Sequence, residues 1–435
     1  MEPPRLDRLE APPTAGAGAV TKLLLLGLGF GLLMLPYQAL SELGFVLQQR
    51  LWLQQAGIPW QGALLLFATS LLLFSLAWGP LAKGRGGGLT PALALQHPGT
   101  AERQRLLEGR LSLGIQLRRL PLIALTHLGG LSVGVESPSA ALGAAVLLAI
   151  RRRWPRLRPL ADMPLPLLLA VGGSAGLGAA FRSPLLGIAY GLEELSRDKG
   201  LSLVLPTLLV GGSGTLLATR LGQPARLEGL QLGPLQADAM PWAVLITVLA
   251  ALLGSLFVRL LVGVAQTLKT LLRRWRLATA AGLALALTLL ALASGGLSLN
   301  DGSLSLGPAL AGRSDDPPLT LLWRGLASLL SIASGCPGGL MHDTMALGSL
   351  VIAALKPWTP LARLPSTALA QLAAIGATAL FAAANRTPIF CALFVFTLQG
   401  DPLLLPALLL ASASSASLAE RWRGPTWNTV QEQGI

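Results

Sequence analysis

The sequence predicts an all-α polytopic membrane protein built from two homologous halves, and three observations support this fold class. Hydrophobic residues make up 52% of the 435 positions and charged residues 12%, about half the share found in a typical soluble domain. Apolar runs long enough to cross a bilayer recur along the chain. The chain also contains two pairs of similar segments, and the members of each pair are separated by nearly the same number of residues.

The apolar runs predict the helices. The clearest cover residues 23–35 with their flanks, 62–78, 240–261 and 277–293, and a spanning helix needs about 20 residues. Lipid cannot hydrogen-bond to backbone groups, so a spanning segment has to be a helix or part of a closed barrel. The runs are rich in Leu and Ala, which favour helix, and they lack the alternation of a barrel strand. We therefore expect several membrane-spanning helices.

Positive charge is concentrated in short connectors between the apolar runs. The formal net charge is +13, and Lys and Arg cluster at 103–119, 151–156 and 269–276. Short basic loops beside apolar helices mark the cytoplasmic side of a membrane protein. The charge therefore indicates orientation against anionic lipid, and no nucleic-acid partner is expected.

Cysteine and histidine are too scarce for a disulfide framework or a metal cluster. Cys336 and Cys391 are far apart, and His97, His127 and His342 are scattered. No spacing among them matches a zinc motif. The sequence therefore predicts no metal, cofactor or prosthetic group. The N-terminal segment, which contains acids and prolines, does not resemble a cleavable signal peptide.

Two segments of the first half reappear in the second half. GVESPSAALGAAV, which starts at Gly134, is similar to GLMHDTMALGSLV, which starts at Gly339, and both reach Ala-Leu-Gly at the same offset. AAFRSP and AANRTP both place an arginine two residues before a proline, at Pro184 and Pro388. The separations of 205 and 204 positions are nearly equal, so the two matches predict one duplication.

This duplication divides the chain into five parts. We expect a cytoplasmic N-terminal segment at 1–19, a first membrane repeat at 20–222, an extracellular or periplasmic connector at 223–239, a second membrane repeat at 240–420 and a short cytoplasmic tail at 421–435. Internal repeats in a membrane protein are typical of transporters that bind their substrate between the halves, on broken helices. The repeat therefore favours a transporter.

Glycine-rich sequences predict where helices stop inside the membrane. They lie at 84–91, 129–138, 294–303 and 334–343, as two equivalent pairs. Irregular backbone at membrane depth is tolerated where it is buried or lines a cavity. A turn that leads into a helix presents free N–H groups and the positive end of the helix dipole, which together bind anions. The breaks therefore favour an anionic substrate.

Glu136 is an acidic residue inside an apolar segment, where a charge is costly and a functional role is the first hypothesis. It stands at a predicted helix N-terminus, where the dipole stabilises a carboxylate and the carboxylate can mimic a bound anion. The equivalent residue of the second half is Met341, so the acid is not part of the repeated scaffold. A simple N-terminal cap is the alternative, although Ser137 could cap this helix without a carboxylate.

The other acidic positions leave more than one interpretation open. Glu193 and Glu194 end an apolar helix near Arg197. A solvated helix end is the favoured interpretation of Glu193, and the residues alone do not separate Glu194 from it. Asp343 follows His342 at the second-half break. These two form an ion pair, a proton relay or a pair of exposed vestibule residues, and we favour the last.

Five segments match signature sequences of a known family. GGGLTP resembles G-S-G-I-P, GVESP resembles G-[KR]-E-G-P, and SGCPGGLMHD resembles S-G-x-x-G-G-I-F-A-P. GSAGLGAAFRSPLLGIAYGLEEL and ATALFAAANRTPIFCALFVFTL are similar to two longer family runs. The chain therefore resembles the chloride channel and transporter (CLC) family, as a divergent member of the prokaryotic type. The resemblance implies a homodimer with one anion pathway per subunit, and two inverted-topology repeats of tilted and broken helices.

The resemblance assigns roles to four residues by position. Glu136 resembles the gating glutamate, which competes with chloride for the external site and carries the proton. Glu194 matches the internal proton glutamate of the exchangers. Leu340 and Met341 match the residues whose backbone N–H groups bind the central anion.

Other positions depart from the family pattern. Gly87 stands at the place of an anion-coordinating serine and has no hydroxyl. Trp427 stands at the place of a coordinating tyrosine and offers an indole N–H. Ser137 stands where the family has glycine, and His342 with Asp343 replaces Ala-Pro. Gly87 and Trp427 are nevertheless expected to bind the anion together with the backbone N–H groups.

The function that the resemblance implies is transport of a small inorganic anion, with chloride favoured, by an anion/proton antiporter in the inner or plasma membrane. The alternatives are a passive voltage- or pH-gated anion channel, a fluoride-selective exporter and a family member that does not transport. An enzyme is not expected, because Ser137 beside Glu136, with His127 nearby, lacks a catalytic spacing. Both termini are expected in the cytoplasm. The expected partners are the anion, protons, the lipid bilayer and a second copy of the chain.

Overall fold

The computed structural model of the protein describes residues 17–54, 59–97, 99–195, 200–221, 231–313, 315–422 and 426–433. Within these ranges the chain forms 18 α-helices, numbered here in chain order. Those of the first half are α1 (Ala17–Gln48), α2 (Trp60–Ala77), α3 (Thr90–Ala94), α4 (Ala101–Arg110), α5 (Leu113–Gly129), α6 (Glu136–Arg153), α7 (Leu165–Ala180), α8 (Pro184–Tyr190) and α9 (Leu201–Leu221). Those that follow are α10 (Met240–Arg274), α11 (Arg276–Ala293), α12 (Ser303–Leu310), α13 (Thr320–Ala333), α14 (Met341–Leu355), α15 (Ser366–Asn385), α16 (Pro388–Gln399), α17 (Leu405–Glu420) and α18 (Trp427–Gln433).

Six helical segments in the described part of the chain are long and apolar enough to cross a membrane. They are Ala17–Leu53, Trp60–Ala77, Leu201–Leu221, Ala237–Arg274, Arg276–Ala293 and Ser366–Asn385. Large apolar side chains cover the outer surface of several of them; Leu216 is 71% exposed and Leu410, on the shorter α17, is 70% exposed. By contrast, 94% of the most apolar window of α15 is buried inside the protein. The protein is therefore a multi-pass helical membrane protein, and the predicted fold class is confirmed.

The glycine-rich sequences separate helices, as predicted. Residues 130–135 lie between α5 and α6, and residues 334–340 lie between α13 and α14. Gly130 and Gly335 follow the ends of α5 and α13 with φ angles of +77° and +82°. Glycine adopts this left-handed conformation without the steric penalty of a side chain, so the chain can turn sharply and start a new helix.

The two halves meet at these two equivalent breaks. The Gly134 N–H donates to the Gly339 carbonyl at 3.0 Å, and the Gly339 N–H donates to the Gly134 carbonyl at 2.8 Å. The pairing is an antiparallel bridge between the residues that open the two similar segments. Antiparallel pairing of equivalent residues is what a two-fold relation between inverted repeats produces. The N-termini of α6 and α14 are thereby brought together.

The backbone at the second pair of similar segments also repeats. Arg182 follows α7 with a φ of +54°, and Arg386 follows α15 with a φ of +68°. Few residues other than glycine adopt positive φ angles, so this shared conformation is specific. In both halves the arginine ends one helix, and a proline two residues later starts the next.

Neighbouring helices in each half approach closely at paired glycines. A Cβ atom on Gly143 of α6 would lie 2.2 Å from the carbonyl oxygen of Gly172 on α7. A Cβ atom on Gly348 of α14 would lie 2.1 Å from the carbonyl oxygen of Gly376 on α15. Backbone therefore packs directly on backbone at both crossings, and these contacts fix α6 against α7 and α14 against α15.

Replacement of Gly348 by alanine is expected to destabilise the protein by about 1–3 kcal/mol, because the added methyl group overpacks a backbone contact. Gly282→Ala on α11 is the matched control, since its Cβ would meet no atom within 4 Å and alanine favours helix over glycine by about 1 kcal/mol. Thermal unfolding of both variants in detergent measures the difference. Equal unfolding temperatures would contradict the proposed close packing.

Candidate functional site

The Glu136 carboxylate lies at the place where the two halves meet. Glu136 is the first residue of α6, and its side chain is fully buried. Its Oε1 accepts a hydrogen bond from the backbone N–H of His342 at 3.0 Å and lies 2.5 Å from His342 Nδ1. The carboxylate therefore interacts with the N-terminus of α14, on the other repeat, and is more than a cap of its own helix.

The second oxygen of this carboxylate has a different environment. Glu136 Oε2 is buried and has no hydrogen-bond partner among the described residues. A Cβ atom on Gly339 would lie 2.5 Å from it, and one on Gly134 would come closer still. Only glycine leaves room for the carboxylate at these two positions. The hydrogen bonds that hold this carboxylate are therefore those made to Oε1.

A small cavity of about 20 Å³ is lined by Ser137, the residue after Glu136, and by Gly339, which packs against the Glu136 carboxylate. The four residues predicted to bind an anion, namely Gly87, Leu340, Met341 and Trp427, all line it. Its volume is sufficient for about one water-sized species. The structure thus brings together segments from the first repeat, the second repeat and α18. Whether these residues bind the anion stays a prediction.

Ser137 lies next to Gly87, the position that lacks the hydroxyl of the family pattern. Ser137 lines the same cavity, and a Cβ atom on Gly87 would lie 2.5 Å from the Ser137 Cβ. A side chain at position 87 and one at position 137 would therefore compete for one space. Here Ser137 fills it, so the two departures from the family pattern are sterically linked.

Glu194 lies on a short π-helical turn, Gly191–Leu195, that follows α8. Such turns occur frequently at functional sites. Its Oε1 accepts a hydrogen bond from Asn428 Nδ2 at 2.5 Å. Asn428 adjoins Trp427 and lines the cavity as well, so α18 connects the Glu194 carboxylate with the candidate anion site.

Glu193 has a structural role that the sequence analysis did not predict. Its two carboxylate oxygens accept the backbone N–H groups of Ile389 at 3.1 Å and Phe390 at 2.6 Å. These residues form the first turn of α16, where N–H groups have no partner within the helix. The favoured interpretation of Glu193 as a solvated helix end is wrong, because the side chain caps a helix of the other repeat. Arg197 lies outside the described residues.

The expectation that His342 and Asp343 are exposed vestibule residues is also wrong. His342 is 6% exposed and Asp343 is fully buried. Asp343 forms an ion pair with Arg324 on α13, with Nη2 and Oδ1 2.8 Å apart and both side chains fully buried. The hydroxyls of Ser132 and Ser328 donate to the same Oδ1, each at 2.8 Å. A buried charge requires partners, and Asp343 Oδ1 has three of them.

Arg324 and Asn428 are the functional candidates that the sequence analysis missed. Arg324 donates to the carbonyl groups of Leu297, Leu299 and Asn300 as well as to Asp343. An isolated arginine in the apolar run TLLWRGLASLLSIA was a usable signal, because charged residues inside membrane helices mark functional positions. Asn428 carries no such signal, since its importance comes from its contact with Glu194.

Metal-binding residues are not clustered in the described structure. No group of three or more His, Cys, Asp or Glu side chains that could hold a metal ion occurs among the described residues. Cys336 and Cys391 are buried and are not joined in a disulfide.

A buried carboxylate at facing helix N-termini, between inverted repeats of a multi-pass helical protein, defines a membrane protein with a site suited to anions. Residues 97–420 match the family model described as voltage gated chloride channel. The chain belongs to this family, and the resemblance to the CLC family is confirmed. Gly87 and Trp427 lie outside the matched residues.

Relatives with assigned names are similar over part of the chain. The H(+)/Cl(-) exchange transporter ClcA of Cronobacter sakazakii is 27% identical over 282 residues, which cover 60% of this chain and 58% of the relative. ClcA of Vibrio vulnificus is 30% identical over 305 residues, covering 67% of this chain and 63% of the relative. The voltage-gated ClC-type chloride channel ClcB of Escherichia coli is 31% identical over 267 residues, covering 56% and 59%. The chain thus spans about 60% of the length of the curated relatives it matches.

Two solved structures share the fold over almost the full chain. The crystal structure of a slow cyanobacterial Cl-/H+ antiporter superposes with a TM-score of 0.76 and 22% identity, covering 98% of each chain. The structure of a CLC-type fluoride/proton antiporter has a TM-score of 0.70 and 21% identity, covering 96% of this chain and 99% of that one. At these identities the comparison establishes the fold.

Proposed function

We propose that the protein exchanges a small inorganic anion, chloride in the first place, for protons across the membrane. The observation that carries the proposal is the position of the Glu136 carboxylate, which is buried at the N-terminus of α14 and accepts the His342 N–H. Helix N-termini bind anions, so this side chain occupies a place that an anion can take. The similarity to ClcA, named as an H(+)/Cl(-) exchange transporter, supports the same conclusion.

The exchange follows from competition at this one place. When Glu136 takes up a proton, it loses its charge and with it most of its attraction to the helix N-terminus. A small anion then binds to the exposed N–H groups in its place. When the proton leaves, the carboxylate regains its charge and displaces the anion. Anion and proton therefore move alternately through one position, which links their fluxes.

Glu194 is proposed as the second proton-binding group. It is partly buried and accepts a hydrogen bond from Asn428, which lines the cavity. A second carboxyl group therefore lies one hydrogen bond away from the candidate anion site. This arrangement supports exchange over passive conduction, because a channel does not need a second proton site.

The placement in the membrane is part of the proposal. The basic ends of α6 and α10, which include Arg151–Arg153 and Arg273–Arg274, support a cytoplasmic position for these ends under the positive-inside rule. We propose an inner or plasma membrane protein with repeats at 20–222 and 240–420, both termini in the cytoplasm, and a homodimeric assembly as in the CLC family. Residues 1–16 and 222–230 lie outside the described structure.

Reconstitution in liposomes tests the function. Purified protein is given a chloride gradient, and chloride efflux and internal pH are recorded together; nitrate and fluoride gradients follow. Uphill proton movement driven by the anion gradient is the expected result. Anion flux without proton movement would identify a channel, flux of fluoride alone would identify a fluoride exporter, and the absence of any flux would refute transport.

Replacement of Glu194 by glutamine is expected to lower proton movement at least 10-fold while anion flux continues, because the amide cannot bind and release a proton at this position. Glu193→Gln is the matched control, since it makes the same chemical change one residue away. That variant weakens the cap of α16 and is expected to cost about 1 kcal/mol of stability without uncoupling. Equal proton fluxes in Glu194→Gln and wild type would remove Glu194 from the proton route.

A further inference from the structure

The imidazole of His342 is the closest neighbour of the Glu136 carboxylate in the hydrogen-bond network. Its Nδ1 lies 2.5 Å from Glu136 Oε1, and the backbone N–H of the same residue reaches the same oxygen at 3.0 Å. One residue of the second repeat thus contacts the carboxylate twice. With a proton on Nδ1, the imidazole donates a hydrogen bond to the ionised carboxylate.

Two phenylalanines fix the orientation of this imidazole. Phe181, at the end of α7, stacks on it with ring centroids 5.4 Å apart and an interplanar angle of 20°. Phe394, on α16, packs against it edge to face at 5.1 Å and 89°. The ring is therefore held between the two repeats with Nδ1 directed at Glu136. A side chain fixed in this way loses little conformational entropy when it forms the hydrogen bond.

We propose that His342 is a positioning residue that holds the Glu136 carboxylate at the N-terminus of α14 and so weakens anion binding there. The inference rests on the proposed function, in which the carboxylate must leave before the anion binds. Carboxylate and anion compete for the same backbone N–H group. The imidazole adds a donor that contacts the carboxylate, and it therefore shifts the competition against the anion. A buried hydrogen bond to a charged group changes such an equilibrium roughly 10-fold to 100-fold.

Two substitutions separate the hydrogen bond from the packing. His342→Phe keeps an aromatic ring between Phe181 and Phe394 and removes the donor. His342→Asn keeps a nitrogen donor at the position of Nδ1 and removes most of the ring. Chloride binding to the purified protein is measured by calorimetry, and chloride exchange is measured in liposomes. We expect His342→Phe to bind chloride roughly 10-fold to 100-fold more tightly, and His342→Asn to bind it within about 3-fold of the wild type, from the same hydrogen-bond energetics.

The same pair of measurements in a Glu136→Ala background provides the internal control. Without the carboxylate there is nothing for the imidazole to hold, so adding His342→Phe is expected to leave the chloride affinity unchanged. A double-mutant cycle of this kind isolates the interaction between two residues. If His342→Phe does not elute as a folded protein in size-exclusion chromatography, His342→Leu replaces it as the variant without a donor.

Two results would overturn the inference. Equal chloride affinity in wild type and His342→Phe would show that the imidazole does not hold the carboxylate. Weaker binding in His342→Phe, with or without Glu136, would show that the imidazole contacts the anion itself. The proposed function fails on a different observation, the absence of chloride-driven proton movement by the wild type, so the two failures can be told apart.

Discussion

Glu136→Ala is expected to abolish chloride-driven proton movement and to leave an anion flux at least as large as that of the wild type. The substitution removes the carboxylate that lies at the N-terminus of α14 and that carries the proton in the proposed exchange. An anion can then enter without displacing a carboxylate, and no proton has to move in exchange. Simultaneous recording of chloride efflux and internal pH in liposomes measures both effects, and proton movement is expected to fall below detection.

Glu420→Ala is a suitable control for the loss of a carboxylate as such. Glu420 ends α17 and is exposed, so its replacement is expected to leave both fluxes unchanged. If Glu136→Ala retained coupled proton movement, the carboxylate would not be the shared carrier, and the proposed exchange at this position would be refuted. An intermediate variant, Glu136→Gln, keeps the size of the side chain and removes the proton exchange, so it separates the steric effect from the chemical one.

Asp343→Ala is expected to destabilise the protein by about 3–5 kcal/mol, the usual consequence of removing one partner of a buried ion pair. It leaves the guanidinium of Arg324 in a fully buried site without its carboxylate. The hydroxyls of Ser132 and Ser328 also lose their acceptor. Denaturant or thermal unfolding in detergent gives the stability change, and size-exclusion chromatography shows whether the variant still folds.

The exposed ion pair between Lys356 and Asp315 provides a matched comparison. Its atoms are 2.7 Å apart, but its side chains are 27% and 78% exposed. Lys356→Ala is therefore expected to cost less than about 1 kcal/mol. The double variant Arg324→Met with Asp343→Leu removes both buried charges, and we expect it to recover part of the lost stability. A similar loss of stability in Asp343→Ala and Lys356→Ala would show that burial does not determine how much an ion pair contributes to stability.

The buried ion pair also bears on the candidate site. Asp343 is the residue after His342, and it is bound by Arg324 of its own repeat and by Ser132 of the other. These bonds fix the first turn of α14 relative to the break that precedes α6. The position of the His342 N–H, and with it the hydrogen bond to Glu136, therefore depends on a network that does not touch the cavity. Loss of Asp343 is expected to disturb the site as well as the fold.

The sequence by itself determined the class of protein, the internal duplication and the choice of Glu136 as the leading site residue. Long apolar runs are stable in lipid as helices. The similar segments that open at Gly134 and Gly339 indicate that the chain consists of two related halves. Glu136 was identifiable because a carboxylate in an apolar segment is costly. All of these are properties of short stretches of chain, or of their order, and they do not depend on how the halves dock.

Only the tertiary structure decided which side chains meet across the two halves. His342 was expected to be exposed, but it contacts Glu136, which lies 206 positions earlier in the chain. Glu193 was expected at a solvated helix end, but it caps a helix of the other repeat. The partners of such residues are set by the antiparallel bridge between Gly134 and Gly339, which precede α6 and α14, and by the position of α18 at the cavity. The local sequence does not specify these contacts, because a buried polar residue and an exposed one can have the same neighbours in sequence.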